Sequence, residues 1–339
     1  MPTKDDLKYF QAMPLDIKIG LTQNRIREWV NYYGTDGVYV SFSGGKDSTV
    51  LLHIVRSMYP DIEAVFVNTG LEYPEIQKFV KTFDNVTILR PQMRFDEVIK
   101  KYGYPLISKE VSQNIKEARS NPQSRSASKF DDNSEYCQKY GARFSKAKWK
   151  PLLDSKIPIS DVCCMVMKKS PAKDFEKRTG KMPILATMAD ESALRETQWL
   201  KTGCNAFDNK RPRSAPMSFW TEQDVLQYIK QYNIPIASVY GDVVYAEQTD
   251  QLRLEGCECG KLKTTGCERT GCVFCAFGAH LHNDQRFVRL KETHPKQYEY
   301  CIGGGEYVDG IWQPNKDGLG MGHVFDELNK IYGEGFIKY

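Results

Sequence analysis

A glycine-rich segment between a short apolar run and an amphipathic one constrains this chain more than any other feature. Val38–Phe42 is rich in β-branched and aromatic residues and predicts a buried strand, and Ser48–Met58 predicts a helix that packs on a sheet. Between them the chain reads Ser43-Gly44-Gly45-Lys46-Asp47-Ser48. Glycines allow a tight turn, and the unpaired N–H groups at the start of a helix attract an anion. The sequence therefore predicts a phosphate-binding loop at the end of a strand.

Further strand and helix patterns alternate along the chain. Ala64–Val67, Val86–Leu89 and Pro183–Thr187 each predict a strand, and Leu15–Tyr33 predicts a packing helix. Thr221 precedes another helical pattern as an N-cap residue. Alternating strands and helices indicate βαβ units. We therefore expect an α/β fold, a Rossmann-like parallel sheet with helices on both of its faces.

Shifts in composition divide the chain into three parts. Residues 1–35 predict a helical N-terminal segment, residues 36–250 the nucleotide-binding α/β domain, and residues 251–339 a cysteine-rich C-terminal subdomain. Within the second part, residues 108–150 form a polar, basic insert. For this insert we expect a helix and a mobile loop, which makes it a candidate lid over the nucleotide.

Overall composition excludes several classes of protein. The hydrophobic fraction is 41% and the charged fraction 27%, which is typical of a globular chain. The formal charge is only +4, which suits a phosphate ligand but does not by itself imply nucleic acid. The sequence contains neither a secretory signal pattern nor an apolar run long enough to span a bilayer. A soluble, cytoplasmic protein without a membrane partner is expected, while the oligomeric state is not indicated.

The cysteines are numerous and unevenly placed. There are ten in 339 residues, and close cysteine pairs in a reducing compartment suit metal ligation better than disulfides. Cys163 and Cys164 are adjacent, and Cys272 and Cys275 form a Cys-x-x-Cys pair, so that four thiolates come from two places. Such a set suits an iron–sulfur cluster or zinc. A local zinc site and simple burial of the tandem pair remain alternatives, the zinc site being drawn from Cys257, Cys259, Cys267, Cys272 and Cys275.

The glycine loop does not fit the Walker A pattern. It resembles the pyrophosphate loop of the N-type ATP pyrophosphatases and of the phosphoadenosine phosphosulfate (PAPS) reductases. Other segments resemble motifs of the PAPS reductase family and follow in the family's order, although Asn68 stands where that family often has Asp. These segments are Val67–Glu75, Cys163-Cys164 with Lys168, Lys169 and Pro171, Glu191–Arg195, Pro216–Val225 and Thr270–Cys275. The chain is thus identified, by resemblance, as a member of this family.

The resemblance implies an adenine nucleotide α-hydrolase-like fold and chemistry at the α-phosphate or sulfate of ATP, PAPS or adenosine phosphosulfate (APS). It assigns nucleotide binding to Ser41, Ser43, Gly44, Gly45, Lys46, Asp47, Ser48, Thr69 and Gly70. Lys46 and Arg195 would supply cations, and Glu191 would orient Arg195. Asp47 is a candidate Mg²⁺ contact if ATP is the substrate, or else a cap of the following helix.

In reductases of this family that carry a cluster, the tandem-plus-pair cysteine pattern holds it. By this resemblance we assign Cys163, Cys164, Cys272 and Cys275 to a four-iron, four-sulfur cluster, with zinc as the alternative metal and Cys267 as the rival ligand. The family's C-terminal Glu-Cys-Gly-Leu-His motif, which carries the nucleophilic thiol, is missing. The last cysteine here is Cys301, and nothing in its sequence context marks it as that nucleophile.

Three hypotheses about function follow. The chain is a sulfonucleotide reductase that forms sulfite and is recycled by a thiol reductant such as thioredoxin. Alternatively it resembles the AMP-forming sulfur transferases that modify DNA or tRNA, with a sulfur donor such as a cysteine desulfurase and with nucleic acid at the basic insert. The third hypothesis is a non-enzymatic module that senses nucleotide or redox state. The family resemblance favours the first, and the missing thiol motif favours the second.

Overall fold

The structure, a computed structural model, describes residues 2–246 and 260–339. Its strands are β1 (Val38–Ser41), β2 (Ala64–Val67), β3 (Val86–Leu89), β4 (Leu106–Ile107), β5 (Met182–Ile184), β6 (Asn205–Ala206), β7 (Arg213–Ser214), β8 (Val243–Tyr245), β9 (Leu262–Thr264), β10 (Ala276–Phe277), β11 (Glu306–Val308) and β12 (Ile311–Gln313). Its helices are α1 (Lys4–Gln11), α2 (Leu15–Tyr33), α3 (Lys46–Met58), α4 (Pro74–Val80), α5 (Phe95–Tyr102), α6 (Lys109–Ser120), α7 (Arg125–Ser128), α8 (Glu135–Tyr140), α9 (Lys150–Asp154), α10 (Ser170–Thr179), α11 (Ala193–Thr202), α12 (Glu222–Gln231), α13 (Arg286–Thr293), α14 (Pro295–Ile302) and α15 (Met321–Tyr332).

Contacts group the chain into two compact units, each drawn from separate stretches of sequence. Unit 1 comprises Met1–Asn68, Glu72–Arg90 and Ala172–Thr270, and unit 2 comprises Thr69–Leu71, Pro91–Pro171 and Gly271–Tyr339. The boundaries differ from those drawn on composition, because residues 108–150 group with the C-terminal residues and the cysteine-rich stretch is divided at Thr270. The division into folding domains at residues 35 and 250 and the lid assignment both stay predictions.

Unit 1 is built on a mostly parallel sheet. Its strand order is β3-β2-β1-β5-β7-β6, and the first five strands in that order run parallel, while β6 is antiparallel to β7. The chain leaves β1 toward β2 and β3 and later returns on the other side of β1 as β5. In open α/β sheets, ligands bind at the carboxyl ends of the strands where the order reverses in this way. The loop after β1 lies at that position.

The helix that follows the loop owes its position to apolar burial. In α3, Val50, Leu51 and Val55 are fully buried, and Ile54 is 1% exposed. Each of these side chains removes enough apolar surface from water to stabilise the packed state by about 1.5–3 kcal/mol. The helix therefore stays against the sheet and fixes where its first turn lies.

A buried ion pair attaches the N-terminal helices to the rest of unit 1. The Lys18 ammonium in α2 donates to both carboxylate oxygens of Asp224, at 2.8 and 2.7 Å. Asp224 also accepts from the backbone N–H of Thr221 at 2.7 Å, and Thr221 caps α12 in return. The N-cap expected at Thr221 is therefore confirmed. It is part of a capping box, and the Asp224 carboxylate has a second partner that the local sequence did not indicate.

Unit 2 contains short strand pairs between helices. Strand β4 pairs in parallel with β10, and β11 pairs with β12 as a hairpin. The Tyr104 hydroxyl donates to the Leu319 carbonyl at 2.8 Å, which connects residues far apart in the sequence. In place of the loop expected after α6, the structure has the short helices α7 and α8, capped by Ser124 and Ser134.

The predicted fold class is confirmed: a mostly parallel sheet is flanked by helices. The bounds expected for α2, β2 and β3 match those observed. Among the described residues, no helix combines the length and the apolarity that crossing a membrane requires.

Candidate functional site

The glycine loop is held by its own serine side chains. The Ser43 and Ser48 hydroxyls lie 3.0 Å apart, and the Ser48 hydroxyl donates to the Gly45 carbonyl at 2.9 Å. The Gly45 N–H donates to the Ser43 hydroxyl at 3.3 Å. Ser41, the last residue of β1, precedes this turn. These bonds set the geometry of the turn between β1 and α3, so the N-terminus of α3 is presented at the end of the sheet.

Gly44 is required for this turn. Its φ of +71° lies in the left-handed region, and a Cβ atom there would come within 2.7 Å of Val80 Cγ2 and 2.8 Å of Ile76 Cγ2. Gly44→Ala is expected to lower the free energy of unfolding by about 1–2 kcal/mol for the backbone conformation alone, with the steric contacts adding to it. Urea unfolding measures the change.

The matched control for that substitution is Gly20→Ala. Gly20 lies inside α2, and a methyl group added there would have no neighbouring atom within 4 Å. Alanine at this position should stabilise the protein by about 0.5–1 kcal/mol. Equal effects of the two substitutions would contradict the strained turn.

Lys46 is the buried cation of the loop. Its ammonium lies 2.9 Å from the Glu268 carbonyl oxygen, 3.0 Å from Glu222 Oε1 and 3.6 Å from Asp47 Oδ1. Burial lowers the pKa of Lys46, but the Asp47 and Glu222 carboxylates outweigh burial and raise it overall. Lys46 is therefore a permanent cation near neutral pH, placed at the positive end of α3.

Asp47 supplies the carboxylate of the loop, and the Lys46 ammonium, 3.6 Å from its Oδ1, lies beyond hydrogen-bond distance. Its Oδ1 is buried and has no hydrogen-bond partner among the described residues. Burial raises the pKa of Asp47, and Glu222 adds to that effect, while Lys46 and Arg269 oppose it. Asp47 does not cap α3, because the N-cap residue is Gly45 and no side chain caps that helix. An oxygen of this kind suits a cation or a donor group of a ligand.

Arg195 is a second cation in electrostatic range of the Asp47 carboxylate. Its guanidinium pairs with the Glu191 carboxylate, which also accepts from the Met188 N–H at 3.0 Å. Burial and the Arg269 guanidinium lower the pKa of Arg195, and Asp47 opposes them. Arg195, Arg269 and Asp47 therefore lie within electrostatic range of one another. The contact between Glu191 and Arg195 is present as expected, and its role in orienting the guanidinium stays a prediction.

Several residues of this site were not expected from the sequence. The Tyr240 hydroxyl accepts from the Lys46 N–H at 3.2 Å and lies 2.6 Å from the Thr270 hydroxyl. Glu222 and Arg269 are further charged residues near Lys46 and Asp47. Glu222 and Thr270 fall in segments that resemble family motifs, which was a usable signal, whereas no local pattern marked Tyr240.

Thr69 and Gly70 follow β2 and group with unit 2. Thr69 is 7% exposed, and its hydroxyl accepts from the Leu71 N–H at 3.1 Å. Their role in nucleotide binding stays a prediction.

In unit 2 the structure brings the four assigned cysteines within electrostatic range of one another. Cys163 donates a hydrogen bond to Cys164, and this bond, burial and the nearby thiols raise the pKa of Cys163. The same bond lowers the pKa of Cys164 to about 6, and three lysines assist, namely Lys109, Lys168 and Lys169. Burial, with Cys272 nearby, raises the pKa of Cys275 to about 11. The four thiols therefore form one cluster in unit 2.

Within residues 2–246 and 260–339, no three Cys, His, Asp or Glu side chains are arranged to hold one metal ion. In a four-iron cluster each cysteine binds its own iron, so its ligands need not converge on a single ion. The iron–sulfur assignment and its zinc alternative both stay predictions. Cys257 and Cys259, the other members of the alternative zinc site, lie outside the described residues.

Of the other described cysteines, Cys137, Cys267 and Cys301 are buried and Cys204 is partly buried. Cys301 in α14 has 0% exposure, its thiol donates to Met321 Sδ at 3.5 Å, and burial strongly raises its pKa. Cys267 is buried in unit 1, where its N–H donates to the Val239 carbonyl at 2.9 Å. Burial also raises the pKa of Cys204. A neutral, enclosed thiol is a poor nucleophile.

Comparison with known families decides the relationship. The family model described as the phosphoadenosine phosphosulfate reductase domain matches residues 37–277. The chain belongs to the PAPS reductase family. The match covers the glycine loop, the Glu191–Arg195 segment and all four assigned cysteines of the candidate cluster.

Members of this family and related proteins share modest identity with the chain. An uncharacterized protein of Methanocaldococcus jannaschii is 25% identical over 268 residues, which cover 78% of this chain and 46% of the relative. An APS reductase of Staphylococcus epidermidis is 26% identical over 208 residues, 60% of this chain and 64% of the relative. A PAPS reductase of Xylella fastidiosa is 32% identical over 82 residues, 24% of this chain and 33% of the relative. The matches thus span less than two thirds of these relatives.

A solved structure is also similar: the phosphoadenylyl-sulfate (PAPS) reductase of Candida auris in its phosphate complex. It has a TM-score of 0.37 and 13% identity, and the similarity covers 70% of this chain and 91% of that chain.

Proposed function

We propose that this chain is an enzyme that binds an adenine nucleotide at the glycine loop of unit 1 and acts at its α-phosphate or sulfate end, reducing a sulfonucleotide to sulfite. One observation carries the proposal. Around the start of α3, Lys46, Asp47, Arg195 and Arg269 form one charged group, with two guanidinium groups and an ammonium beside a helix N-terminus. Such a group stabilises charge that develops on an anion.

The loop and its cations have separate tasks in this proposal. The N-terminus of α3 and Lys46 would hold the phosphate oxygens, which compete with the Glu222 carboxylate for the ammonium. The planar guanidinium of Arg195 would bind the reacting phosphate or sulfate through paired hydrogen bonds. As a thiolate of the reductant bonds to the sulfur and the bond between sulfur and the nucleotide oxygen breaks, negative charge develops on the departing phosphate, and these cations would stabilise it. A second thiol would then form a disulfide with the first and release sulfite.

The cysteine cluster of unit 2 fits an iron–sulfur group by the chemistry of its donors. Cys163, Cys164, Cys272 and Cys275 would hold it. Lys109, Lys168 and Lys169 lie close enough to Cys164 to lower its pKa, so they would offset part of the negative charge of four thiolates. When bound, such a cluster would supply electron-transfer capacity. A thiol reductant such as thioredoxin would complete the reduction.

One observation favours a second candidate, an ATP pyrophosphatase that forms AMP for sulfur transfer. Reduction needs a nucleophilic thiol, whereas Cys301 and Cys267 are buried. Formation of AMP from ATP needs no nucleophilic thiol of this chain at the nucleotide site. Asp47 Oδ1, buried without a hydrogen bond among the described residues, would contact the Mg²⁺ of ATP.

Products distinguish the candidates. Anaerobically purified protein, with iron and acid-labile sulfide quantified, is offered PAPS, APS or ATP separately with a thiol reductant. Sulfite with the matching adenosine phosphate supports the reductase. AMP and pyrophosphate from ATP, without sulfite from either sulfonucleotide, would replace it with the sulfur-transfer candidate. Nucleotide binding without any product would support the hypothesis of a non-enzymatic sensing module.

Cys301→Ser tests whether the last cysteine is the missing nucleophile. We expect turnover to be unchanged and the melting temperature to fall, since a hydroxyl buried without a good acceptor costs about 1–3 kcal/mol. Cys137→Ser is the matched control, because the Cys137 sulfur lies 3.8 and 3.9 Å from the Ser128 and Lys129 carbonyl oxygens, which accept from a hydroxyl. A folded Cys301→Ser protein that has lost sulfite formation would show instead that Cys301 is the nucleophile.

A further inference from the structure

Three aromatic rings of unit 2 form a row with cations beside them. The Tyr136 and Tyr140 ring centroids are 4.8 Å apart, and those of Tyr140 and Phe144 are 6.4 Å apart. The Arg125 guanidinium lies 4.7 Å from the Tyr136 centroid and 5.4 Å from the Tyr140 centroid. We call this set, with Lys139 and Arg143, the basic–aromatic row.

The remaining two cations of the row lie over its other rings. The Lys139 ammonium is 5.5 Å from the Tyr140 centroid, and the Arg143 guanidinium is 4.7 Å from the Phe144 centroid. All three cations are exposed, and 45% of Tyr140 remains accessible with its cations in place. Cation–π contacts at exposed sites contribute about 0.5–1 kcal/mol each, which is enough to orient a flexible side chain.

The charge of this surface is compensated only in part, by an ion pair of Lys146 with Glu110 at 3.2 Å. From residue 136 to residue 150 the sequence has five Lys and Arg residues and no Asp or Glu. Acidic residues precede the row at Asp131, Asp132 and Glu135. Among the residues that the structure describes, neither Lys139 nor Arg143 forms an ion pair with a carboxylate.

We propose that the basic–aromatic row binds single-stranded nucleic acid. Surfaces that bind single strands combine cations along the phosphate backbone with aromatic rings on which bases stack, and this row has both, in alternation. A membrane surface would call for large exposed aliphatic side chains, which residues 136–150 lack. An acidic peptide would use the cations and leave the rings without a partner. The proposal does not rest on the nucleotide site, because every residue of the row belongs to unit 2.

Fluorescence anisotropy of labelled 12-nucleotide oligo(dT) and oligo(rU), titrated with the full chain without nucleotide, tests the proposal. Both single strands are expected to bind more tightly than a 12-base-pair duplex or heparin of similar charge. Affinity should fall with salt, because each phosphate contact releases counterions and contributes about 0.7 to the logarithmic slope. Comparison of the two oligonucleotides shows whether DNA or RNA is preferred.

Variants separate charge from stacking. Lys139→Ala/Arg143→Ala should weaken binding and reduce the salt slope by about 1.4, at about 0.7 per cation. Tyr140→Ala should weaken binding by roughly 5- to 150-fold with the slope unchanged, the range measured for loss of one stacked base, and Tyr140→Phe should restore it. Lys177→Ala, an exposed lysine of unit 1, is the control and should change nothing.

Two outcomes would overturn the proposal. One is no binding of either oligonucleotide at low salt. The other is a loss confined to the charge variants, with Tyr140→Ala binding as the parent does and heparin competing equally, since that behaviour is simple attraction of polyanions. Circular dichroism of each variant establishes that it is folded, so a loss of binding is not caused by unfolding.

Discussion

Lys46→Met is expected to abolish nucleotide turnover and to weaken nucleotide binding by about 100-fold. A hydrogen bond to a charged group contributes about 1.5–3 kcal/mol, and the Lys46 ammonium would make more than one with the phosphates. The change also leaves the Asp47 and Glu222 carboxylates, which now lie 3.6 and 3.0 Å from the ammonium, facing an anionic ligand without it. Methionine keeps the length and the apolar stem, so the loss is that of the charge.

Lys181→Met is the control for this prediction. Lys181 also belongs to unit 1 and also pairs with a glutamate, Glu63, at 2.7 Å, but it does not belong to the charged group around the loop. Isothermal titration calorimetry with ATP, PAPS and APS measures binding, and product analysis measures turnover. A Lys46→Met protein that binds nucleotide as tightly as the Lys181→Met protein would refute the assignment of the loop.

Most of the sheet could be predicted because its strands are buried. Ala64–Val67 stands out as an apolar run, since a parallel strand covered by helices has no solvent face to interrupt it. The strand predicted at Pro183–Thr187 extends beyond the observed one, because β5 ends at Ile184. A strand ends where its hydrogen bonds with neighbouring strands end, and the local sequence pattern does not show these bonds.

Residues of the site could be predicted only where they lie close to one another in the sequence. The loop and the Glu191–Arg195 pair each lie within a few residues and follow family motifs. Tyr240, in contrast, meets Lys46 across 194 positions of sequence. No periodicity encodes such a contact, because it arises from the packing of unit 1 as a whole.

The short helices after α6 show a different limit of predicting structure from sequence composition. A stretch rich in serine, asparagine and lysine has low apolar content, so it favours a loop by composition. In the structure Ser124 and Ser134 each accept a hydrogen bond from the backbone of the helix that they begin, at 3.2 Å in both cases. The serines that suggested a loop are therefore caps of α7 and α8.

Cys272→Ser/Cys275→Ser is expected to remove the iron of the anaerobically purified protein almost completely. The double variant deletes half of the assigned ligands. The remaining pair, Cys163 and Cys164, supplies only two of the four thiolate ligands that a four-iron cluster needs. Iron and sulfide analysis and the loss of charge-transfer absorption measure the result. Zinc analysis of the same samples decides between the two metals.

The control for this prediction is Cys267→Ser/Cys301→Ser, which also removes two thiols, both of them buried, but none of the four assigned ligands. It should keep its metal and lose only stability. The double ligand variant should also melt at a lower temperature, because a group that binds only the folded state stabilises it by mass action, and that contribution is lost with the metal. If the control loses its metal and the Cys272→Ser/Cys275→Ser variant keeps it, Cys267 would be assigned as a metal ligand instead. Retention in both would refute a cysteine-bound metal at these positions, and the raised pKa values of Cys163 and Cys275 would then reflect burial and the neighbouring thiols without a metal.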